Sequence, residues 1–105
     1  MFSDFYREAG SIKNGVGIRL TDERWAHIRE EHGEISKLQA EVLKAIRDPL
    51  RIVEGNAGEL LAVRELEVGN YLVVVYREVP HDGFVITAFV TRRIRSLERR
   101  KQLWP

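Results

Sequence analysis

The fold is decided by residues 71–91, which have the sequence YLVVVYREVPHDGFVITAFVT. Valine, tyrosine, phenylalanine and threonine favour strands, whereas Pro-His-Asp-Gly at 80–83 has the composition of a turn. The pattern therefore predicts two long antiparallel strands on either side of this turn. Shorter runs at 51–54 and 60–66 extend the prediction to a four-stranded antiparallel sheet.

Helix signals precede these strands. Thr21 is a suitable N-cap residue, and Asp22 and Glu23 follow it in what would be the first turn. The helix is expected to continue to about His32, where Gly33 can cap it in a left-handed conformation. This is the best-defined helix of the chain.

Further elements complete the predicted order. An apolar stripe predicts a second helix over 35–47, which Asp48-Pro49 ends. The remaining elements are a short helix over 2–8, a short strand over 16–20 and a basic helix over 93–103. The expected fold class is α+β: N-terminal helices packed on a four-stranded antiparallel sheet, with a C-terminal basic helix, in a single domain of residues 1–105.

The two faces of the sheet are predicted from its register. If Val79 pairs with Phe84 across the turn, then Tyr76 lies opposite Thr87. If Leu66 pairs with Tyr71 across the preceding turn, then Leu61 lies opposite Tyr76. One face is then almost wholly apolar and packs on the helices: Leu60, Ala62, Arg64, Tyr71, Val73, Val75, Arg77, Phe84, Ile86, Ala88 and Val90. The other is apolar but interrupted by Glu65, Tyr76, Thr87 and Thr91, as in a ligand cleft.

Composition excludes several classes of protein. The chain has 105 residues, of which 44% are hydrophobic and 31% charged, which excludes a disordered tail or a collagen-like fibre. No cysteine is present, which excludes a disulfide framework and cysteine-ligated zinc, so a cytoplasmic location is expected. The longest apolar run, at 71–75, is too short to span a membrane.

Charge is unevenly distributed along the chain. Residues 92–101, RRIRSLERRK, carry six basic side chains and one acidic, a sum of +5, although the whole chain has a formal charge of only +1. One interpretation is a solvated amphipathic helix with Ile94, Leu97 and Leu103 inward. The others are an electrostatic rim that attracts a polyanion and a surface for self-association or a partner protein.

Two histidines share the first predicted helix. His27 and His32 are five residues apart, so on a regular helix their side chains point about 140° apart. Both side chains therefore cannot bind the same metal ion. From their positions alone, His32 is interpreted as a hydrogen-bonded, partly buried histidine near Trp25, and His27 as a solvent-facing residue.

Other polar residues allow two interpretations each. Arg64 could be a phosphate ligand or an edge side chain with its charge in solvent. Tyr76 and Thr87 could form a site or a plain cross-strand pair, and Glu65 could be a general base or a solvated carboxylate. His81 lies in the predicted turn and is interpreted as a loop residue.

Four segments together resemble a known family. They are LTDERWAHIREEHGEI (20–35), EVLKAIRDPLRI (41–52), YLVVVYREV (71–79) and DGFVITAFVTRRI (82–94). Over residues 16–103 the chain resembles the phage-associated barnase–EndoU–colicin–RelE-like (BECR) nuclease domains, most specifically in HIxxxH and VITAF. One departure is His32-Gly33-Glu34 where the family has His-Pro-Glu; glycine keeps the helix stop without the rigidity of proline.

The resemblance implies metal-independent RNA cleavage by attack of the 2′-OH, with no cofactor. In such a reaction His27 or His32 would be the general base or acid, and Thr87 would hydrogen-bond a phosphate. The remaining candidates are Tyr76 as proton donor or stacking residue, and Arg64, Arg92 and Arg93 as phosphate-binding cations.

A toxin-like ribonuclease would have RNA as its substrate, an immunity or antitoxin protein as its partner, and no membrane. A second copy of the chain is a further expected partner. The alternative from the same residues is a non-catalytic module that binds RNA or protein, including a regulatory partner of a neighbouring gene product.

Overall fold

The strand-forming segments lie at the centre of the molecule. The computed structural model of the chain describes residues 6–11 and 17–105. Within them, seven strands form one sheet in the order β1-β2-β6-β5-β4-β3-β7. The strands are β1 (Tyr6–Ser11), β2 (Gly17–Thr21), β3 (Arg51–Glu54), β4 (Leu60–Glu67), β5 (Asn70–Val79), β6 (Asp82–Thr91) and β7 (Gln102–Trp104).

The α+β class therefore stands, but the predicted four-stranded antiparallel sheet is wrong. The four predicted strands are the central β3 to β6, and further strands extend the sheet at both edges. The sheet is also mixed, because β2 pairs with β6 in parallel at Arg19 and Phe84. Gly83 permits this approach: a Cβ atom there would overlap the Cδ1 of the buried Ile18.

Both ends of the chain differ from the predicted helices. Residues 6–8, expected in a short helix, belong to β1, and residues 2–5 lie outside the described residues. The predicted basic helix over 93–103 is helical only at Ile94–Glu98 (α3). The chain then turns into β7, where Trp104 aligns with Ile52 and packs on the core. Burial of the indole at the sheet edge outweighs weak helix propensity in so short a segment.

The first predicted helix is confirmed, but Gly33 does not cap it in a left-handed conformation, because the C-cap is His32 with φ −133°. The second helix is shortened. Helix α1 (Asp22–Glu31) begins after Thr21, whose Oγ1 accepts a hydrogen bond from the Arg24 N–H at 3.0 Å. Gly33–Ile35 forms a 3₁₀ turn, so the second helix, α2, spans only Gln39–Arg47. Its buried side chains, Val42, Ala45 and Ile46, face the sheet.

The predicted register of β5 and β6 is wrong. Tyr76 aligns with Val85, and Val75, rather than Tyr76, aligns with Thr87. Ile86 is therefore an extra residue in β6, which makes a bulge at this point. Likewise Leu61 aligns with Val75 rather than Tyr76. These shifts place the side chains of β5 on the opposite face of the sheet from the one predicted.

The sheet has an apolar cluster on each face. On the helix face, α1 and α2 pack on the sheet. The buried residues of this cluster, from the helices and the sheet together, are Ile18, Leu20, Trp25, Ile28, Ile35, Val42, Ala45, Ile46, Ile52, Ala62, Leu72, Val74, Tyr76, Val85 and Ala88. On the α3 face, Val53, Leu61, Val63, Val73 and Leu97 are buried, with Tyr71, Val75, Phe89 and Ile94 packed against them. Since α3 is only five residues long, it covers one part of this second face.

Candidate functional site

His32 lies where α1 ends at the side of β6. Its backbone N–H donates to the Ile28 carbonyl at 2.8 Å, which fixes the turn that carries the imidazole. The ring centroid is 6.2 Å from that of Phe89, and the Nδ1 atom is 3.7 Å from the Glu34 Oε2 atom. The side chain is 34% exposed. His32 is therefore held against the sheet while part of its ring remains open to solvent.

Thr87 lies two residues before Phe89 on β6, and both align with residues of the α3 face. The Thr87 Oγ1 atom is buried and has no hydrogen-bond partner among the described residues. Leaving a buried hydroxyl unpaired costs about 1–3 kcal/mol. Such a group is often retained for a purpose other than stability, such as binding a ligand.

The two histidines belong to different surfaces. His27 is exposed and lines a shallow cavity of about 160 Å³ together with Thr21, Glu23 and Arg24. His32 instead contacts Phe89. Of the two histidines, only His32 is therefore in contact with Phe89 of β6, in line with the angle between the two residues on the helix.

Tyr76 and Arg64 lie on the helix face, away from Thr87. Tyr76 is 1% exposed, and burial, followed by the nearby Glu78, raises the pKa of its phenol. The Arg64 Nε atom donates to the Glu41 Oε2 at 3.0 Å, so its guanidinium is bound within the fold. The prediction that Tyr76 and Thr87 are cross-strand neighbours is therefore wrong. Arg64 lies on the helix face, as the predicted register placed it.

The predicted cations at the end of β6 are exposed. Arg92 and Arg93 follow Thr91 directly, and the Arg93 N–H donates to the Thr91 Oγ1 at 3.0 Å. Glu65 is exposed on β4. Tyr71 aligns with Glu65, and the pKa of Tyr71 is raised by desolvation and then by its hydrogen bond to that carboxylate. The two arginines lie beyond Phe89 at the same end of the strand as His32.

One cavity of the described residues has the wrong charge for RNA. It encloses about 590 Å³ and is lined by Glu34, Leu38, Glu41, Arg64, Glu65, Leu66, Glu67, Asn70 and Val90. Four glutamates and one arginine are among these residues, and the arginine, Arg64, is already paired with Glu41. A phosphate backbone would be repelled here, so the ligand cleft predicted from the sequence is not this cavity.

Sequence reasoning missed Arg19 and Arg77 as candidate binding residues. Both align with Phe84, one from each neighbouring strand. Arg19 stands between the apolar residues Ile18 and Leu20, which was a usable signal, but this signal acquires meaning only once β2 is known to pair with β6.

Neither a protein-family model, nor a curated protein, nor a solved structure matches the chain. Among residues 6–11 and 17–105, no group of three or more histidine or carboxylate side chains could hold a metal ion. No helix in the same residues combines the length and the apolar character needed to cross a membrane.

Proposed function

We propose that the chain is a metal-independent endoribonuclease related to the BECR nuclease domains, with its site on the α3 face of β6. The observation that carries the proposal is the buried, unpaired hydroxyl of Thr87 beside Phe89, against which the partly exposed His32 ring packs. The VITAF and HIxxxH segments that resemble this family contain these same three residues.

The reaction needs a base at the nucleophile and positive charge at the phosphate. His32 accepts the proton of the RNA 2′-OH, whose oxygen attacks the adjacent phosphorus, and the bond from phosphorus to the 5′-oxygen breaks. The departing oxygen takes a proton from water. The products are a 2′,3′-cyclic phosphate and a 5′-hydroxyl.

Thr87 and the arginines supply the phosphate contacts in this proposal. In this proposal RNA binding uncovers the Thr87 hydroxyl, which is buried in the free protein. The hydroxyl then donates a hydrogen bond to a phosphate oxygen and gains the partner that it otherwise lacks. Arg92 and Arg93 offset the charge that develops on the phosphorus oxygens. Tyr76 has no part in this reaction because its phenol is buried on the helix face, and Arg64 has none because it lies on that same face, away from Thr87, where it bonds to Glu41 of α2.

The first test is RNA cleavage in EDTA by the wild type, His32→Ala and His81→Asn. His81 is an exposed turn residue with φ 67°, a conformation that asparagine tolerates, so this variant is a matched histidine control. We expect His32→Ala to lose about 100-fold or more of the rate and His81→Asn to retain it. The wild-type products should end in 2′,3′-cyclic phosphate.

Two results would overturn the proposal. One is His32→Ala cleaving as fast as the wild type. The other is a folded wild type that cleaves none of a panel of structured and unstructured RNAs, which would favour the non-catalytic binding module.

A further inference from the structure

Three side chains form a row across three neighbouring strands of the α3 face. Arg19 of β2 and Arg77 of β5 both align with Phe84 of β6. Arg19 alternates with Ile18 and Leu20, which are buried on the helix face, so its side chain points to the other face. Arg77 follows Tyr76, also on the helix face, and the same argument applies. Phe84 thus lies between two arginines.

The contacts hold this row in place without removing it from solvent. The Arg19 Nη1 donates to the Asp82 Oδ1 at 2.7 Å, and the Arg19 guanidinium carbon lies 5.9 Å from the centroid of the Phe84 ring. The Arg77 Nη2 donates to the Ala57 carbonyl at 3.2 Å and lies 3.8 Å from the Glu59 Oε2. The two arginine side chains are nevertheless 40% and 37% exposed.

An aromatic ring between two exposed guanidinium groups suits single-stranded nucleic acid. Bases stack on phenyl rings and on guanidinium planes, and arginine binds the adjoining phosphates. A base in a duplex is already stacked and paired, so a stacking platform selects unpaired nucleotides.

The row is separated from the proposed cleavage site along β6. Phe84 and Phe89 are five residues apart, or roughly 15 Å at strand spacing. This is several times the spacing of stacked bases, about 3.4 Å. A nucleotide on the row is therefore several positions from the scissile phosphate.

We propose that Arg19, Phe84 and Arg77 form a remote subsite that binds a base and its phosphates in single-stranded RNA. The inference deepens the proposed ribonuclease function and rests on it. It predicts that the row assists cleavage of long substrates only.

The test compares kcat/KM for a dinucleotide and a single-stranded hexanucleotide. Phe84→Leu, which keeps an apolar side chain, should lower kcat/KM for the hexanucleotide by about tenfold and leave the dinucleotide unchanged. Arg19→Gln should act in the same direction, whereas Arg47→Gln, an exposed charge on α2, should leave both substrates unchanged. An equal loss on both substrates, or no loss on either, would overturn the subsite.

Binding separates failure of the subsite from failure of catalysis. A 2′-O-methyl hexanucleotide lacks the attacking hydroxyl, and its affinity is read by fluorescence anisotropy. If no RNA is cleaved but Phe84→Leu weakens this binding about tenfold, the proposed function fails and the subsite stands. If RNA is cleaved but Phe84→Leu binds the hexanucleotide as the wild type does, the subsite alone is wrong.

Discussion

Thr87 and Thr91 lie on the same face of β6, but their hydroxyls have different surroundings. The Thr87 Oγ1 has no partner among the described residues, whereas the Thr91 Oγ1 accepts a hydrogen bond from Arg93 at 3.0 Å. Thr87→Val should raise the free energy of unfolding by about 1 kcal/mol, and its RNA cleavage should fall. Thr91→Val should lower the free energy of unfolding by about 0.5–1 kcal/mol. Urea denaturation measures both values. A destabilised Thr87→Val would mean that the hydroxyl is satisfied in the folded protein and would remove the main support for its role.

The buried phenol of Tyr76 predicts a stability change in alkali. Burial raises its pKa in the folded protein, whereas the unfolded phenol ionises near pH 10. Above that pH the unfolded chain loses a proton that the folded chain keeps, so the free energy of unfolding falls by up to about 1.4 kcal/mol per pH unit. The stability difference between the wild type and Tyr76→Phe should therefore be constant up to about pH 9 and shift in favour of the variant at higher pH. Denaturation of both proteins from pH 8 to 11 measures it, and parallel curves over that range would contradict the assignment.

At the scale of the secondary-structure element, the parallel pairing of β2 with β6 depends on one residue, Gly83. A Cβ atom at Gly83 would overlap the Cδ1 of Ile18 and lie 3.2 Å from the Gly17 carbonyl oxygen. Gly83→Ala should cost about 1–3 kcal/mol of stability, and Ile18→Val, which removes the Cδ1 atom, about 0.5–1.5 kcal/mol. The double variant should cost less than the sum, because valine makes room for the alanine. Strict additivity in thermal denaturation would show that the two side chains do not compete for space.

Local sequence signals predicted the elements whose causes are local. The Thr21 cap and the β-branched runs of β4 to β6 are of this kind. The bulge at Ile86 depends on how β5 pairs with β6, and the parallel pairing of β2 with β6 joins residues more than sixty positions apart, Arg19 and Phe84. No pattern within one segment encodes them.

For the candidate site too, the sequence indicated residues within one segment but not the arrangement of residues from different strands. His32 and Thr87 are candidates because their segments resemble the family, and the structure places both near Phe89. Tyr76 was placed with Thr87 because a one-residue error in register moves a side chain to the other face of the sheet. The row formed by Arg19, Phe84 and Arg77 spans three strands, so it required the order of the sheet.

At the scale of the whole molecule, the sheet separates two surfaces of different charge. The helix side carries the cavity lined by four glutamates, where Arg64 is paired with Glu41. The α3 side carries the arginine row and leads to the exposed Arg92 and Arg93. Under the proposed function, RNA approaches the side that carries the row and the exposed Arg92 and Arg93, rather than the side of the glutamate-lined cavity.

The salt dependence of RNA binding tests which side RNA uses. Each phosphate neutralised on a single strand contributes about 0.7 to the slope of log affinity against log salt concentration. The double variant Arg92→Gln/Arg93→Gln should reduce the magnitude of that slope by about 1.4 for the 2′-O-methyl hexanucleotide. Arg47→Gln removes one charge from α2, on the helix side, and should leave the slope close to that of the wild type. If Arg47→Gln instead reduces the slope while the double variant retains it, RNA binds the helix side, and the α3 face cannot be the site of cleavage.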